Sequence, residues 1–95
     1  MFDIKKSDNN EVQLIGRFDA SQTDMARTFF DQLNHSVTID LEKLDYISSA
    51  GLGVLMMVQK RLNKNGNKIK LIKVNKRVKE VLMITNFHHI VDIEE

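Results

Sequence analysis

Residues 45–54 read DYISSAGLGV, and this stretch joins a short segment ending in two serines to a segment with helical spacing of apolar residues. Ser48 or Ser49 occupies the N-cap of the predicted helix, where a hydroxyl accepts a hydrogen bond from the first turn. Gly51 and Gly53 place no Cβ over the free N–H groups of that turn. Unpaired N–H groups and the helix dipole together favour an anion. The turn formed by residues 48–53, called the corner from here on, is therefore the candidate functional site.

The segments around the corner alternate between strand and helix patterns. Strands are predicted over residues 2–6, 11–15, 36–41, 68–74 and 90–93. Three helices are predicted. The first begins at Thr23 and has Met25, Phe29 and Leu33 on one face, and the second covers Leu52–Lys64. The third follows Asn75 and has Val78, Val81 and Leu82 on one face. Turn or cap signals separate them at residues 8–10, 65–67 and 86.

The resulting order, β-β-α-β-α-β-α-β, predicts one α/β domain over residues 1–95. We expect a mixed, mostly parallel sheet of four to five strands with three to four helices. Functional loops of such sheets collect beyond the carboxyl ends of the strands. Residues 16–21 and 45–50 both follow predicted strands, so these loops are expected to be neighbours.

Composition narrows the class of protein. With 42% apolar and 28% charged residues, the chain resembles an ordinary globular protein. The absence of cysteine excludes disulfides, thiol catalysis and cysteine-ligated zinc. No apolar run approaches the roughly 18 residues that a membrane-spanning helix needs. We expect a cytoplasmic protein that does not contact a membrane.

The charge is unevenly distributed although the net charge is only +1. Residues 59–80, the basic block, contain nine Lys or Arg residues and a single acid. These cations fall on a helix end, a turn, a strand and the next helix, and no aromatic residue is available for base stacking. A solvated face is favoured over nucleic-acid binding.

The motifs of common enzymes are missing around the serines. The Gly-x-Gly pair lacks both the third glycine of a dinucleotide site and the Gly-Lys-Ser/Thr of a phosphate loop. The surroundings of Ser49 are not Gly-x-Ser-x-Gly, and nothing places a histidine against it. We therefore predict no catalytic residues and no cofactor.

A metal site is also disfavoured. The adjacent His88 and His89 would point to opposite faces of a strand, which is poor geometry for two ligands of one ion. Asp19, Asp40 and Asp45 have the chemistry to bind Mg²⁺, but turn, strand-end and solubility roles explain each of them.

Five segments together resemble a STAS domain, specifically a stand-alone anti-sigma-factor antagonist of the bacterial partner-switching type. The resemblance covers nearly the whole chain. It rests on residues 14–19 (LIGRFD, against a family pattern L-x-G-x-L-D), 37–41, 44–47, 48–55 (SSAGLGVL, against the phosphorylation motif D-S-S/T-G-L-G) and 78–82.

The resemblance implies a function. Ser49 falls on the serine that a partner kinase phosphorylates, Ser48 on the usual aspartate and Ala50 on the second Ser/Thr. Because Ser48 adds a second hydroxyl, it stays open as the alternative acceptor. The partner-binding residues implied are Asp19, Ser48, Ser49, Ala50, Gly51, Leu52 and Gly53.

The implied mechanism is a switch. The unmodified corner would bind an anti-sigma factor that is also a serine kinase, and phosphate at Ser49, held by the Gly51 and Leu52 amides, would release it. A cognate phosphatase would reverse the modification. The alternative is a STAS module that binds a small ligand or nucleotide at the same corner. The sequence leaves the oligomeric state open.

Overall fold

The computed structural model describes residues 1–7 and 11–94, which form a single α/β domain. Its strands are β1 (Phe2–Lys6), β2 (Glu11–Phe18), β3 (Val37–Asp40), β4 (Leu44–Ile47), β5 (Ile69–Ile72) and β6 (Asp92–Glu94). Its helices are α1 (Thr23–Phe30), α2 (Ser49–Asn63) and α3 (Lys76–Ile84), with 3-10 helices at Ala20–Gln22 and Phe87–His89. The predicted fold class is confirmed. The described residues contain six strands, however, where four to five were expected.

The sheet has the order β1-β2-β3-β5-β6, and only β1 is antiparallel to its neighbour. The predicted hairpin of β1 and β2 is therefore present, while its predicted turn at residues 8–10 lies outside the described residues. Strand β2 continues past its predicted end at Ile15 through Gly16, which has a φ of +94°. A Cβ on Gly16 would lie 2.0 Å from the Met1 carbonyl oxygen, so only glycine fits there.

Strand β4 is the strand that the sequence analysis missed. The first half of β2 pairs with β3, and its last residues pair with β4 instead, both in parallel. In β4, Leu44 and Ile47 are buried while Asp45 and Tyr46 between them are exposed. The Arg17 guanidinium lies 4.4 Å from the centre of the Tyr46 ring, a cation–π contact that covers part of it.

Helix α1 begins at Thr23 as predicted, but its buried face is different. Met25 is exposed and Phe29 is only partly buried, whereas Ala26 and Phe30 lie fully in the core. Leu33 is buried from the turn after the helix, where its N–H donates to the Phe30 carbonyl. Of the three residues predicted to share this face, Leu33 is thus buried, whereas Met25 and Phe29 each lie one residue before a core residue.

Helix α2 packs on the sheet through a buried apolar face and one buried polar side chain. Its apolar contacts come from Leu52, Val54, Leu55, Val58 and Leu62. The side-chain oxygen of Gln59 accepts a hydrogen bond of 2.8 Å from the Ile69 N–H at the start of β5. The helix ends as predicted, with Gly66 in the left-handed region at a φ of +77°.

The C-terminal part adds α3 and the edge strand β6. Asn75 caps α3, as predicted, by accepting a hydrogen bond of 3.0 Å from the Val78 N–H. Asn86 has a left-handed conformation beyond the end of α3, also as predicted. His88 and His89 lie in a 3-10 helix and not on a strand, with ring centres 3.9 Å apart, so the opposite-face geometry considered for a strand does not apply to them.

No helix in the described part of the chain is long and apolar enough to span a bilayer.

Candidate functional site

The two loops predicted to be neighbours do meet. Phe18 and Ile47 are parallel partners at the ends of β2 and β4, and the Ser48 N–H donates a hydrogen bond of 2.9 Å to the Phe18 carbonyl. The main chain therefore fixes the point at which α2 begins. Beyond these strand ends, Asp19 and Ser48 begin the next helical turns.

Ser48, not Ser49, is the N-cap of α2. Its backbone is extended, with a φ of −92° and a ψ of 172°, and its Oγ accepts a hydrogen bond of 3.2 Å from the Gly51 N–H. Its carbonyl accepts a second bond, 2.9 Å long, from the Leu52 N–H. The helix thus begins at Ser49, three residues earlier than predicted.

Ser49 is the exposed serine of the pair, whereas Ser48 and Ala50 are half-buried. Within the described residues, nothing accepts a hydrogen bond from the N–H groups of Ser49 and Ala50. The N–H groups of Gly51 and Leu52, predicted to hold an anion, are both already bonded to Ser48. The free donors of this helix end are therefore those of the first two residues of the helix.

Gly51 and Gly53 differ in what surrounds them. A Cβ on Gly51 would lie 2.8 Å from the Phe18 carbonyl oxygen and 3.0 Å from Ile47 Cγ1, so Gly51 allows α2 to pack closely against β2 and β4. A Cβ on Gly53 would meet nothing within 4 Å. Internal packing thus explains Gly51 and leaves Gly53 without a structural reason.

Asp19 holds the neighbouring 3-10 helix. Its carboxylate accepts hydrogen bonds from the Ser21 hydroxyl at 2.7 Å and the Ser21 N–H at 3.0 Å. These two bonds lower the pKa of Asp19 below its usual value of 3.8. The Gln22 side chain completes a capping box by accepting a hydrogen bond from the Asp19 N–H.

The remaining predicted partner-binding residue, Leu52, is only 4% exposed and belongs to the core. Two of the acids considered for a metal are committed to other contacts. Asp19 is occupied by Ser21, and the buried Asp40 accepts a hydrogen bond from the Glu42 N–H and lies 3.8 Å from Lys73 Nζ.

Much of the basic block is paired within the fold. Lys68 and Lys70 form ion pairs with Asp92 and Glu94 along β5 and β6. Arg61 Nη2 donates to the carbonyls of Phe30 and Leu33 at the end of α1. These three cations, and Lys73 beside Asp40, thus have partners within the fold. Sequence reasoning missed the structural role of Arg61, because charge alone does not reveal which carbonyls a guanidinium will reach.

The family model described as "STAS domain" matches residues 5–95. The chain belongs to the STAS domain family. This confirms the family predicted from the LIGRFD and SSAGLGVL segments. Members of the anti-sigma-factor-antagonist class are in general not enzymes.

Two relatives carry the predicted description. The anti-sigma-B factor antagonist of Bacillus subtilis is 28% identical over 96% of this chain and 87% of its own length. BtrV of Bordetella bronchiseptica, provisionally described as an anti-sigma factor antagonist, is 40% identical over 57 residues. That match spans 60% of this chain and about half of BtrV, 49% of its length.

Solved structures agree on the fold. A Thermotoga maritima protein, also provisionally described as an anti-sigma factor antagonist, superposes with a TM-score of 0.81 at 24% identity, over 100% of this chain and 86% of its own. The anti-sigma factor antagonist SpoIIAA in its unphosphorylated form gives a TM-score of 0.73 at 13% identity, and the match covers 100% of this chain and 87% of the SpoIIAA chain. Phosphorylated SpoIIAA gives a TM-score of 0.71 at 13% identity, and the match covers 98% of this chain and 90% of the SpoIIAA chain.

Proposed function

We propose that this STAS domain is a phosphorylatable anti-sigma-factor antagonist. Unmodified, it binds an anti-sigma factor that is also a serine kinase, and phosphorylation of Ser49 releases it. The observation that carries the proposal is an exposed serine at the first position of α2, next to a serine whose hydroxyl already serves as the cap. The names of the relatives, and the two solved forms of SpoIIAA, support the same class of function.

Ser49 is the better acceptor because its hydroxyl carries no structural role. The Ser48 oxygen, by contrast, is turned toward the helix and accepts a hydrogen bond from the Gly51 N–H, so a kinase would have to draw it away from that bond to transfer a phosphate. Ser48 is also less exposed than Ser49. Ser48 therefore remains the second choice.

A phosphate on Ser49 adds about −1.5 to −2 charges at neutral pH. It arrives where the dipole of α2 is positive, beside the free N–H groups of Ser49 and Ala50. Since those donors are already in place, no refolding is needed. Release follows from steric blocking and charge repulsion at the contact surface.

The contact surface proposed here is the outer side of the corner, formed by Ser49, Ala50 and Gly53. Ser48, Gly51 and Leu52 act beneath it by fixing the start of α2, and Asp19 acts beside it by holding the 3-10 helix. We also propose that a cognate phosphatase restores the binding form. The protein acts in the cytoplasm, has no catalysis of its own, and uses neither nucleic acid nor a membrane as a partner.

The first test is intact-mass analysis with fragment mapping of the protein from its native cell. One phosphate at Ser49 is expected. No phosphate under any growth condition contradicts the proposal and favours the ligand-binding alternative, which a nucleotide-dependent rise in melting temperature would then reveal.

The second test compares Ser49→Ala with Ser49→Asp in binding to the anti-sigma kinase of the same cell. Ser49→Ala should bind permanently, and Ser49→Asp should bind weakly because it mimics part of the added charge. Ser48→Ala is the matched control and should still be released by the kinase. Equal binding by the two Ser49 variants would contradict the switch.

A further inference from the structure

A groove of about 410 Å³ lies between α1 and α2 and has an apolar floor. Val54 and Val58 are buried at its base, and Met57 is 47% exposed at its edge. The groove, called the α1–α2 groove here, is lined by Arg27, Asp31, Val54, Met57, Val58, Lys60, Arg61 and Lys64. Its surface is thus apolar at the bottom and charged at the rim.

The rim carries more positive charge than the fold needs. Of its four cations, Arg61 is used on the carbonyls that end α1, and the others, Arg27, Lys60 and Lys64, form no ion pair within residues 1–7 and 11–94. Two helix C-termini offset about one positive charge together, and Asp31 offsets one more. A net positive charge therefore remains at the rim, on the exposed side chains of Arg27, Lys60 and Lys64.

The α1–α2 groove is continuous with the Ser49 corner. Arg27 contacts Met57, and Arg61 contacts Phe30, so the two helices run side by side in the same direction. One turn before Met57 on the same face of α2 lies Gly53, and one turn before that lies Ser49. These three residues form a strip that leads from the corner into the groove.

Gly53 is the residue of this strip that has no side chain. Glycine inside a helix costs about 0.5–1 kcal/mol relative to alanine, and the open space around Gly53 shows that the fold does not require it. A main chain passing from the corner to the groove would cross α2 at this residue, where a missing side chain permits close approach.

We propose that the protein that binds the Ser49 corner also lays an acidic segment, with an apolar side chain, into the α1–α2 groove. The inference rests on the proposed function and adds the chemistry of the partner. Carboxylates of the segment would meet Arg27, Lys60 and Lys64, and its apolar side chain would pack on Met57 and the valines below. Nucleic acid is the poorer occupant, since no aromatic side chain lines the groove for stacking.

The test is photocrosslinking in the native cell with p-benzoylphenylalanine placed, one at a time, at Ala50, Met57 and, as a control far from both, Lys5. Positions 50 and 57 should crosslink to the same protein, and the peptide attached at position 57 should carry a net negative charge. The Lys5 variant should not capture that protein. Thermal unfolding of each purified variant establishes that it is folded.

The outcomes separate the two proposals. No protein attached at position 50 in folded protein, together with no partner bound by the Ser49→Ala variant, contradicts the proposed function itself. A protein attached at 50 but absent from 57 overturns only the acidic-segment inference. So does a neutral or basic peptide, a nucleic acid or a lipid at position 57.

A charge reversal measures the contribution of the rim. With the crosslinked protein purified, Lys60→Glu with Lys64→Glu should weaken binding on the order of tenfold at low salt, and less at high salt. The matched control, Lys5→Glu with Lys6→Glu on β1, changes the net charge equally. Equal weakening by both pairs would mean that binding depends only on the net charge of the protein, and this would contradict the acidic-segment inference.

Discussion

The inner and outer sides of the first turns of α2 have different structural roles although their residues alternate in sequence. On the inner side, the Ser48 hydroxyl caps the helix and Gly51 lets it pack against Phe18. On the outer side, Ser49 is exposed and Gly53 faces open space. Identical residue types thus serve the fold on one side and remain available to a partner on the other. Four predictions test this difference, beginning with the largest effect.

Gly51→Ala should be the most destabilising change. Its Cβ would lie 2.8 Å from a main-chain oxygen that is fixed by the β2–β4 pairing. Overpacking of this kind costs about 1–3 kcal/mol and outweighs the gain in helix propensity of about 0.5–1 kcal/mol, so we expect a net loss of about 1–2 kcal/mol. Urea unfolding measures it. An unchanged or higher midpoint would show that the inner side has room to spare.

The two serines should respond unequally to alanine. Ser48→Ala removes the helix cap and should cost about 1 kcal/mol, whereas Ser49→Ala should change stability by less than about 0.5 kcal/mol. Ser48→Asp should retain the stability, since a carboxylate caps a helix and interacts well with its dipole. Equal losses at Ser48 and Ser49 would remove the distinction between the two sides.

Gly53→Ala should stabilise the protein. Alanine lowers the entropy of the unfolded chain and suits a helix, and its methyl group meets nothing within 4 Å, so we expect a gain of about 0.5–1 kcal/mol. The same variant should bind the partner more weakly. A gain in stability with unchanged affinity would mean that the outer glycine is not needed for close approach.

The smallest change in stability is expected for Ser21→Ala, in the 3-10 helix beside the corner. The pKa of Asp19 is lower in the folded protein than its value of about 3.8 in the unfolded chain, so the ionised carboxylate stabilises the folded state. This stabilisation is complete above pH 3.8 and is lost as the pH falls through the folded pKa. Ser21→Ala should therefore be slightly less stable than wild type at neutral pH, and the difference should shrink below about pH 4.

The control for this pH effect is Thr85→Ala. The Thr85 hydroxyl donates to main-chain carbonyls of α3, which do not titrate, so its effect should not depend on the Asp19 pKa. A Ser21→Ala difference that persists unchanged into acid would show that Asp19 is not the group involved.

Strong periodicity made most of the fold predictable. The alternation of Val37, Ile39 and Leu41 and the spacing of residues 52–62 indicated the correct strand and helix, because one face of each is buried. β4 was not predictable in this way. Its two exposed residues between two buried ones do not alternate, and its pairing with the end of β2 is a tertiary contact.

The error in α1 and the choice between Ser48 and Ser49 that the sequence left open have related causes. The spacing Met25, Phe29, Leu33 fits a helical face, but the helix ends at Phe30, and Leu33 enters the core from a turn. At the corner, Ser48 and Ser49 are equally good caps by residue type. Only the hydrogen bond from Ser48 N–H to Phe18 decides which of them begins the helix.

That hydrogen bond also has a consequence for redesign. Main-chain pairing of β2 and β4, and one N–H donated to a carbonyl, hold the corner in place without help from the outer side chains. Position 49, which is exposed, and position 53, where a Cβ meets nothing within 4 Å, are therefore open to exchange while the scaffold stays constant. On the proposed function, we expect copies of this domain with different residues at these positions to bind different partners within one cell.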